Sequence, residues 1–326
     1  MPVYAPDPDP ERDEVVQAFF AADPDGKRAA AVFRATYDQL YDGQHTGRFR
    51  WDQLFKTEKT HYGTLLEINL RREFDDVIDD TVEGRALDYS ICGHDVDCKF
   101  SQSFGGWMLP PECFGQLLLV AWADDQRGTW SLGVVRATDA NRRASVNRDG
   151  KTQLSLKGRE QISWLHFEAD LPPNVLLGLA PATLAKVLAP MSGQGRVTEL
   201  MRLVTQRRIG RNTIATLAQQ DDYMARLRDN GNGARTTLRR EGYLIPGGDY
   251  EAHRAVARRL GVPVPAPGEV VSFRVVPANA DMPWAIELDG KIWRLARDDE
   301  QVTVPAPRLP DVRKGRGRTS TDIAAT

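Results

Sequence analysis

Leu87-Asp88-Tyr89-Ser90-Ile91-Cys92-Gly93-His94-Asp95-Val96-Asp97-Cys98-Lys99 sets two carboxylates and an amine on the adjoining strands of a predicted hairpin. Leu87, Tyr89 and Ile91 alternate with Asp88, Ser90 and Cys92, so at strand period the first carboxylate lies opposite an apolar face. Gly93-His94-Asp95 reads as the turn. On the return, Asp97 and Lys99 share one face while Val96, Cys98 and Phe100 take the other. Three charged groups thus converge on one small volume. Phosphodiester hydrolysis draws on a divalent cation to neutralise developing charge, and hard cations prefer carboxylate oxygens, so Asp88 and Asp97 are candidate ligands. Lys99 can hold or deprotonate the attacking water and lie against the scissile phosphate. A salt-bridged surface hairpin satisfies the same pattern, and the flanking sequence has to decide between them.

At 326 residues, 41% hydrophobic and 27% charged, the chain can bury a sizeable core and divides into two domains. The boundary is expected in the polar stretch 141–174, giving domains 1–168 and 169–326. No apolar run approaches the roughly 20 residues of a membrane span. The proline-rich, acidic start lacks the charged and apolar parts of a signal peptide, so a cytoplasmic protein without a membrane partner is expected. Cys92, Cys98 and Cys113 are odd in number and match no zinc spacing, which makes them reduced packing residues. The net charge of −2 is unevenly spread: residues 1–25 hold seven acids and one arginine, residues 196–240 ten arginines and four acids. The second segment places phosphate binding in the C-terminal half, the alternative being a helix with a solvated basic face.

Helical spacing predicts two helices over 14–41, ended by Asp42-Gly43, and another helix or pair over 51–70. Glu67 falls in its last stretch, where a carboxylate can serve a second metal ion or orient a water, or simply pair with Arg71 at i+4. Gly105 to Glu112 is a loop suited to close ligand approach or to packing. The apolar run 116–123 and residues 129–135 read as central strands buried on both faces. Beyond the boundary, helices are expected at 181–188, 196–208, 212–218, 221–230 and 234–240, then strands at 270–276 and 284–295. Short helices, an Arg-bearing helix and a β-like segment resemble a winged helix-turn-helix. The basic tail Arg313-Lys314-Gly315-Arg316-Gly317-Arg318 either adds unspecific DNA affinity or only solubilises the end.

Asp88-x8-Asp97-x-Lys99 resembles the PD-(D/E)xK nuclease signature, with Leu87 where a proline is common. Several further blocks, in one order, resemble the NaeI-type restriction endonucleases, a type IIE family pairing a nuclease domain with a second DNA-binding domain. They are Asp38-Gln39-Leu40-Tyr41-Asp42-Gly43-Gln44, Lys56-Thr57-Glu58-Lys59-Thr60-His61, Glu67-Ile68-Asn69-Leu70, Val96-Asp97-Cys98-Lys99-Phe100-Ser101, Trp107-Met108-Leu109-Pro110-Pro111-Glu112 and Ile214-Ala215-Thr216-Leu217-Ala218-Gln219-Gln220-Asp221-Asp222. The resemblance implies an α/β (α+β) fold, a restriction-endonuclease-like core followed by a winged helix-turn-helix domain. It also implies the catalytic set Glu67, Asp88, Asp97 and Lys99, with Mg²⁺ at Asp88, Asp97 and Glu67, and a homodimer. The expected activity is Mg²⁺-dependent cleavage of double-stranded DNA at GCCGGC, leaving 5′-phosphates. Two duplexes are implied as partners, substrate and effector, the second raising cleavage of the first. Residues 75–85, 141–195 and the tail depart from the family, and no site is predicted in them.

For DNA reading, Arg207, Arg208, Arg211, Arg235, Arg239 and Arg240 are the candidates, since arginine pairs bidentately with guanine and also grips phosphate. Gln219 and Gln220 suit base edges or a helix cap equally. Two other functions bear weighing. One is a DNA-binding regulator with an inactive nuclease fold. The other is strand joining, because Leu40-Tyr41-Asp42-Gly43 resembles the Lys-x-Asp-Gly motif of DNA ligases. Leucine has no amine to carry an adenylate, so ligation is not expected.

Overall fold

The computed structural model describes residues 6–79, 88–279 and 282–310. Leu87, residues 80–85 of the 75–85 departure, the first five residues of the acidic start and the basic tail lie outside them. The fold is mixed α and β, in two compact units: residues 1–41 with 48–177, and residues 42–47 with 178–326.

The first unit is a five-stranded sheet of order β1-β2-β3-β4-β5, built from β1 (Tyr89–Ile91), β2 (His94–Ser101), β3 (Leu117–Asp124), β4 (Thr129–Arg136) and β5 (Ser163–Asp170). Only β2 and β3 run parallel. Helix α1 (Pro10–Ala22) starts where the Asp9 carboxylate accepts the Arg12 N–H and Pro10 presets the first turn. Helix α2 (Lys27–Tyr41) buries Val32, Phe33, Tyr37, Leu40 and Tyr41, and after the short α3 (Gly43–Thr46), α4 (Lys56–Glu73) buries Tyr62, Leu66 and Leu70 four residues apart. These side chains cover one sheet face, meeting Tyr89, Val96, Cys98, Leu117, Leu119 and Ala121. Leu118, Val120, Trp122 and Val135 occupy the opposite face with Trp107, Leu109 and Leu154. Strands β3 and β4 are therefore buried on both sides, as their apolar runs require.

Two expectations are corrected in this unit. The hairpin turn is Cys92-Gly93, with Ile91 opposite His94 and both turn residues at positive φ (53° and 80°), a two-residue turn whose twist suits the strands; His94 and Asp95 already belong to β2. The polar stretch taken for a domain boundary contains the short α5 (Leu156–Glu160) and the edge strand β5, so a cut at 168/169 would split a strand; the compact units part at 177/178. Acids of the N-terminal run hold the fold, Arg136 pairing with Asp9 and Glu11, each at 2.7 Å. Leu40 lies buried in the helical layer, and α2 ends one residue later, with Asp42 in the left-handed region.

In the second unit come α6 (Pro181–Leu188), α7 (Gly193–Leu203), β6 (Ile209–Gly210), α8 (Arg211–Ala218), α9 (Ala234–Arg239), β7 (Tyr243–Leu244), α10 (Glu251–Arg259), β8 (Glu269–Val270), β9 (Phe273–Pro277), β10 (Ala285–Leu288) and β11 (Lys291–Leu295). Strands run β10-β11-β9-β7 in one sheet and β6-β8 in another. The helix expected over 196–208 ends at Leu203, because Gln206 turns left-handed and donates its N–H to Ser272 O (2.7 Å) on the way into β6. Residues 221–230 hold only a 3₁₀ turn, Tyr223–Leu227.

Candidate active site

Strand pairing assembles the centre. Tyr89 opposes Val96, so one step further back Asp88 faces Asp97 on the same side of the hairpin. Asp88 Oδ2 accepts the Cys98 backbone N–H at 2.8 Å, which anchors its carboxyl. Lys99 Nζ donates to Asp97 Oδ1 at 2.5 Å and lies 3.4 Å from the Cys98 carbonyl. The parallel register sets Asp97 beside Leu118 and Lys99 beside Val120, so an apolar wall flanks the charges.

The electrostatics are frustrated. Asp97 is only 4% exposed. Burial first, and then its hydrogen bond to Asp88, push its carboxyl up to about 7, with Lys99 pulling the other way. On Lys99, burial acts against the charged form, and the Asp97 and Asp88 carboxylates outweigh it, holding the ammonium above its usual range. Glu67 is raised too, by burial and then by the charge of Asp88, while Lys99 and Arg71 offset part of this.

Asp88, Asp97 and Lys99 are thus brought together directly. Glu67 feels Asp88 and Lys99 electrostatically, and its helix is tied to the hairpin by the Tyr89 hydroxyl, which donates to Glu67 O at 2.7 Å. Arg71 donates to the Asp88 carbonyl and stacks on Tyr89, its guanidinium carbon 5.6 Å from the ring centroid. The sequence offered Arg71 only as an i+4 partner of Glu67, and nothing in the spacing signals its reach to a neighbouring strand. Among the described residues no three His, Cys, Asp or Glu side chains form a ready-made cage. A divalent cation nevertheless fits the pair: two carboxylates crowded at hydrogen-bonding range, one of them buried, gain most from added positive charge, and magnesium commonly takes one or two carboxylates with substrate oxygens and water.

The six candidate DNA-reading arginines are not one patch. Arg207, Arg208, Arg211 and Arg240 are exposed, Arg208 paired with Glu269 and Arg211 with Asp249 at 2.7 Å. Arg235 and Arg239 turn inward instead, donating to Ile245 O (2.8 Å) and Ala306 O (3.5 Å). Gln219 caps α8 in the left-handed region and accepts from Arg196 at 2.9 Å; Gln220 accepts from Arg226.

The family model described as Restriction endonuclease NaeI matches residues 13–304. The curated Type II restriction enzyme NaeI of Lentzea aerocolonigenes is 45% identical over 318 residues, 95% of this chain and 98% of that protein. The chain, matched by the family model from residue 13 to residue 304 and by this relative over 95% of its length, and carrying two carboxylates and a lysine on one face of a hairpin, belongs to the NaeI restriction endonuclease family, the type II site-specific deoxyribonucleases.

Proposed function

We propose that the chain cleaves double-stranded DNA with Asp88, Asp97 and Lys99 as its catalytic centre and Glu67 assisting, and that Mg²⁺ is the cofactor. The observation carrying this reading is the crowded, half-desolvated pair of Asp88 and Asp97 with the Lys99 ammonium 2.5 Å from Asp97. Asp88 and Asp97 would hold the ion, with Glu67 at the margin for a second ion or a water. When bound, the cation would supply charge neutralisation at the phosphate and a lower cost for ionising water. Lys99 lies against the scissile phosphate and positions the attacking water, its ammonium kept charged by Asp97. Glu67, with its raised proton affinity, can accept the water's proton. The Tyr89 and Arg71 links hold α4 and the hairpin in one geometry, leaving the water little freedom. The product carries a 5′-phosphate.

From the family resemblance we further infer GCCGGC as the target, a homodimer, a cytoplasmic location, the first compact unit as the endonuclease domain and the second as an effector domain that binds a second copy of the site. Successive helices α7, α8 and α9 followed by paired short strands support a winged-helix description of the second unit. Its exposed arginines, Arg207, Arg208, Arg211 and Arg240, are the ones that suit DNA. An effector duplex raises cutting only through higher affinity for the competent state. Digestion of a plasmid bearing one GCCGGC, with and without a short GCCGGC duplex, tests target and activation together. Discrete linear product that increases with added duplex is expected; cutting that ignores the duplex removes the activation, and cutting elsewhere removes the target.

A further inference from the structure

Between β4 and α5 the chain leaves the sheet and returns as an ordered arm, residues 141–155. Arg142 bridges to Leu154, and the Arg143 and Asn147 N–H groups donate to Gln153 O and Lys151 O, both at 2.8 Å. At the tip the Asn147 side chain accepts the N–H of Asp149 (3.0 Å) and of Lys151 (2.9 Å), closing a compact turn. The base of the arm is fixed to the loop that follows β2. Leu109 and Thr152 exchange both backbone bonds (2.9 and 3.0 Å), and Arg159 donates to Gly105 O at 2.9 Å. That loop packs Trp107 and Leu109 against Leu118 and Val120, the strand neighbours of Asp97 and Lys99. The arm therefore stands on the face of the sheet that carries the catalytic lysine.

Its charge is the second observation. Arg143, Arg148 and Lys151 are exposed, and among the described residues none of them forms an ion pair; Asp149, also exposed, is the single acid of the arm. Arg142 by contrast turns inward, pairing with Asp139 at 2.7 Å and stacking on Phe114. Arg143 also stands close enough to the half-buried Arg159 for the two cations to repel, and Arg159 Nε is buried without a partner among the described residues. Unpaired like charges on a hydrogen-bonded ribbon disfavour the bare fold and favour a polyanion. Two antiparallel segments joined by backbone hydrogen bonds, as in this irregular hairpin, are about as wide as the β-ribbons that enter the major groove of B-DNA, and flanking cations then meet phosphates.

We propose that the arm 141–155 is the nuclease unit's own grip on the duplex to be cut, with Arg143 and Lys151 on phosphates and Arg148 at the tip in the major groove. The proposal rests on Asp88, Asp97 and Lys99 being the cleavage centre. Its test is the full-length Arg143→Ala/Arg148→Ala/Lys151→Ala variant and the single Arg148→Ala, with thermal melting as the folding control. Duplex binding is followed by fluorescence anisotropy in Ca²⁺ across salt concentrations, and cutting in Mg²⁺ under single-turnover conditions. The triple variant should need at least about tenfold more DNA for half-maximal cutting, with a salt slope lower by about two. Arg148→Ala should narrow the preference for cognate over scrambled duplex. Unchanged half-saturation and slope in the triple variant, in a protein that melts like the parent, would overturn the proposal. If the parent protein does not cut, the catalytic reading falls on its own, and the anisotropy salt slope still decides the arm.

Discussion

The two units spend their charges differently. In the second unit most arginines are satisfied internally: Arg202 with Glu199 and Glu241, Arg208 with Glu269, Arg211 with Asp249, Arg294 with Glu300. In the first unit two places are left short of such pairing, the Asp88 and Asp97 carboxylates, which crowd one another around the single Lys99 ammonium, and the arm with Arg143, Arg148 and Lys151. Paired charges cost little and contribute little, about 0–1 kcal/mol each at a surface. Crowded like charges cost the bare protein stability, and they persist where a ligand of opposite sign completes them. The Arg-rich run 196–240 looked like the obvious phosphate binder by count, yet much of its charge is occupied, whereas the less conspicuous arm holds its charge available.

The largest effect that can break this contrast lies at the hairpin. Lys99→Ala and Asp88→Ala should each slow cleavage roughly a thousandfold, the several kcal/mol that an ion and its partners contribute to the transition state, with duplex binding in Ca²⁺ retained. Single-turnover cleavage measures it, and a loss below about tenfold would remove that residue from the chemistry. Next in size is the triple arm variant described above. Arg211→Ala and Arg208→Ala should act more weakly, since each gives up an internal carboxylate partner before it can take a phosphate. Each would lower the binding salt slope by at most about one. An effect of either that exceeds the arm's would reverse the comparison. The smallest expected effect is that of Arg202→Ala: about 1 kcal/mol of stability from its two partly exposed carboxylate partners, read by chemical denaturation, with cutting unchanged.

Legibility in the sequence followed the same physics. Strands β3 and β4 were readable because both faces are buried and the apolar runs are short and bounded. Asp88, Asp97 and Lys99 were readable because strand period fixes who shares a face, whichever residues make the turn. The turn itself was drawn too late, with His94 and Asp95 in place of Cys92, since Cys92 adopts a left-handed conformation that a non-glycine residue seldom takes. Strand β5 was hidden by its position at the edge, where polar Ser163, His166, Glu168 and Asp170 interrupt the pattern and its pairing with β4 shifts register twice. Helix α10 was missed because its charged outer face outweighs the three buried residues His253, Val256 and Ala257. The arm's Asp149-Gly150 is an ordinary turn signal that the surrounding polarity disguised as a linker. The inward turn of Arg235 and Arg239 depends on carbonyls 10 and 67 residues away, which no local pattern encodes.

The claim that the carboxylate pair is held at a cost until a cation arrives has a direct thermodynamic test. Asp97 is raised above its ordinary 3.8 to about 7 in the folded state, so its contribution to stability is full below about pH 4 and is lost as pH rises through about 7. Melting temperatures of the wild type and Asp97→Asn, compared at pH 6 and pH 8 with and without Mg²⁺, measure that contribution. Without metal the variant should melt above the wild type at pH 8, with a smaller gap at pH 6, and Mg²⁺ should raise only the wild type. A metal-free wild type that melts at or above Asp97→Asn at pH 8, or a variant that gains as much from Mg²⁺, would contradict it.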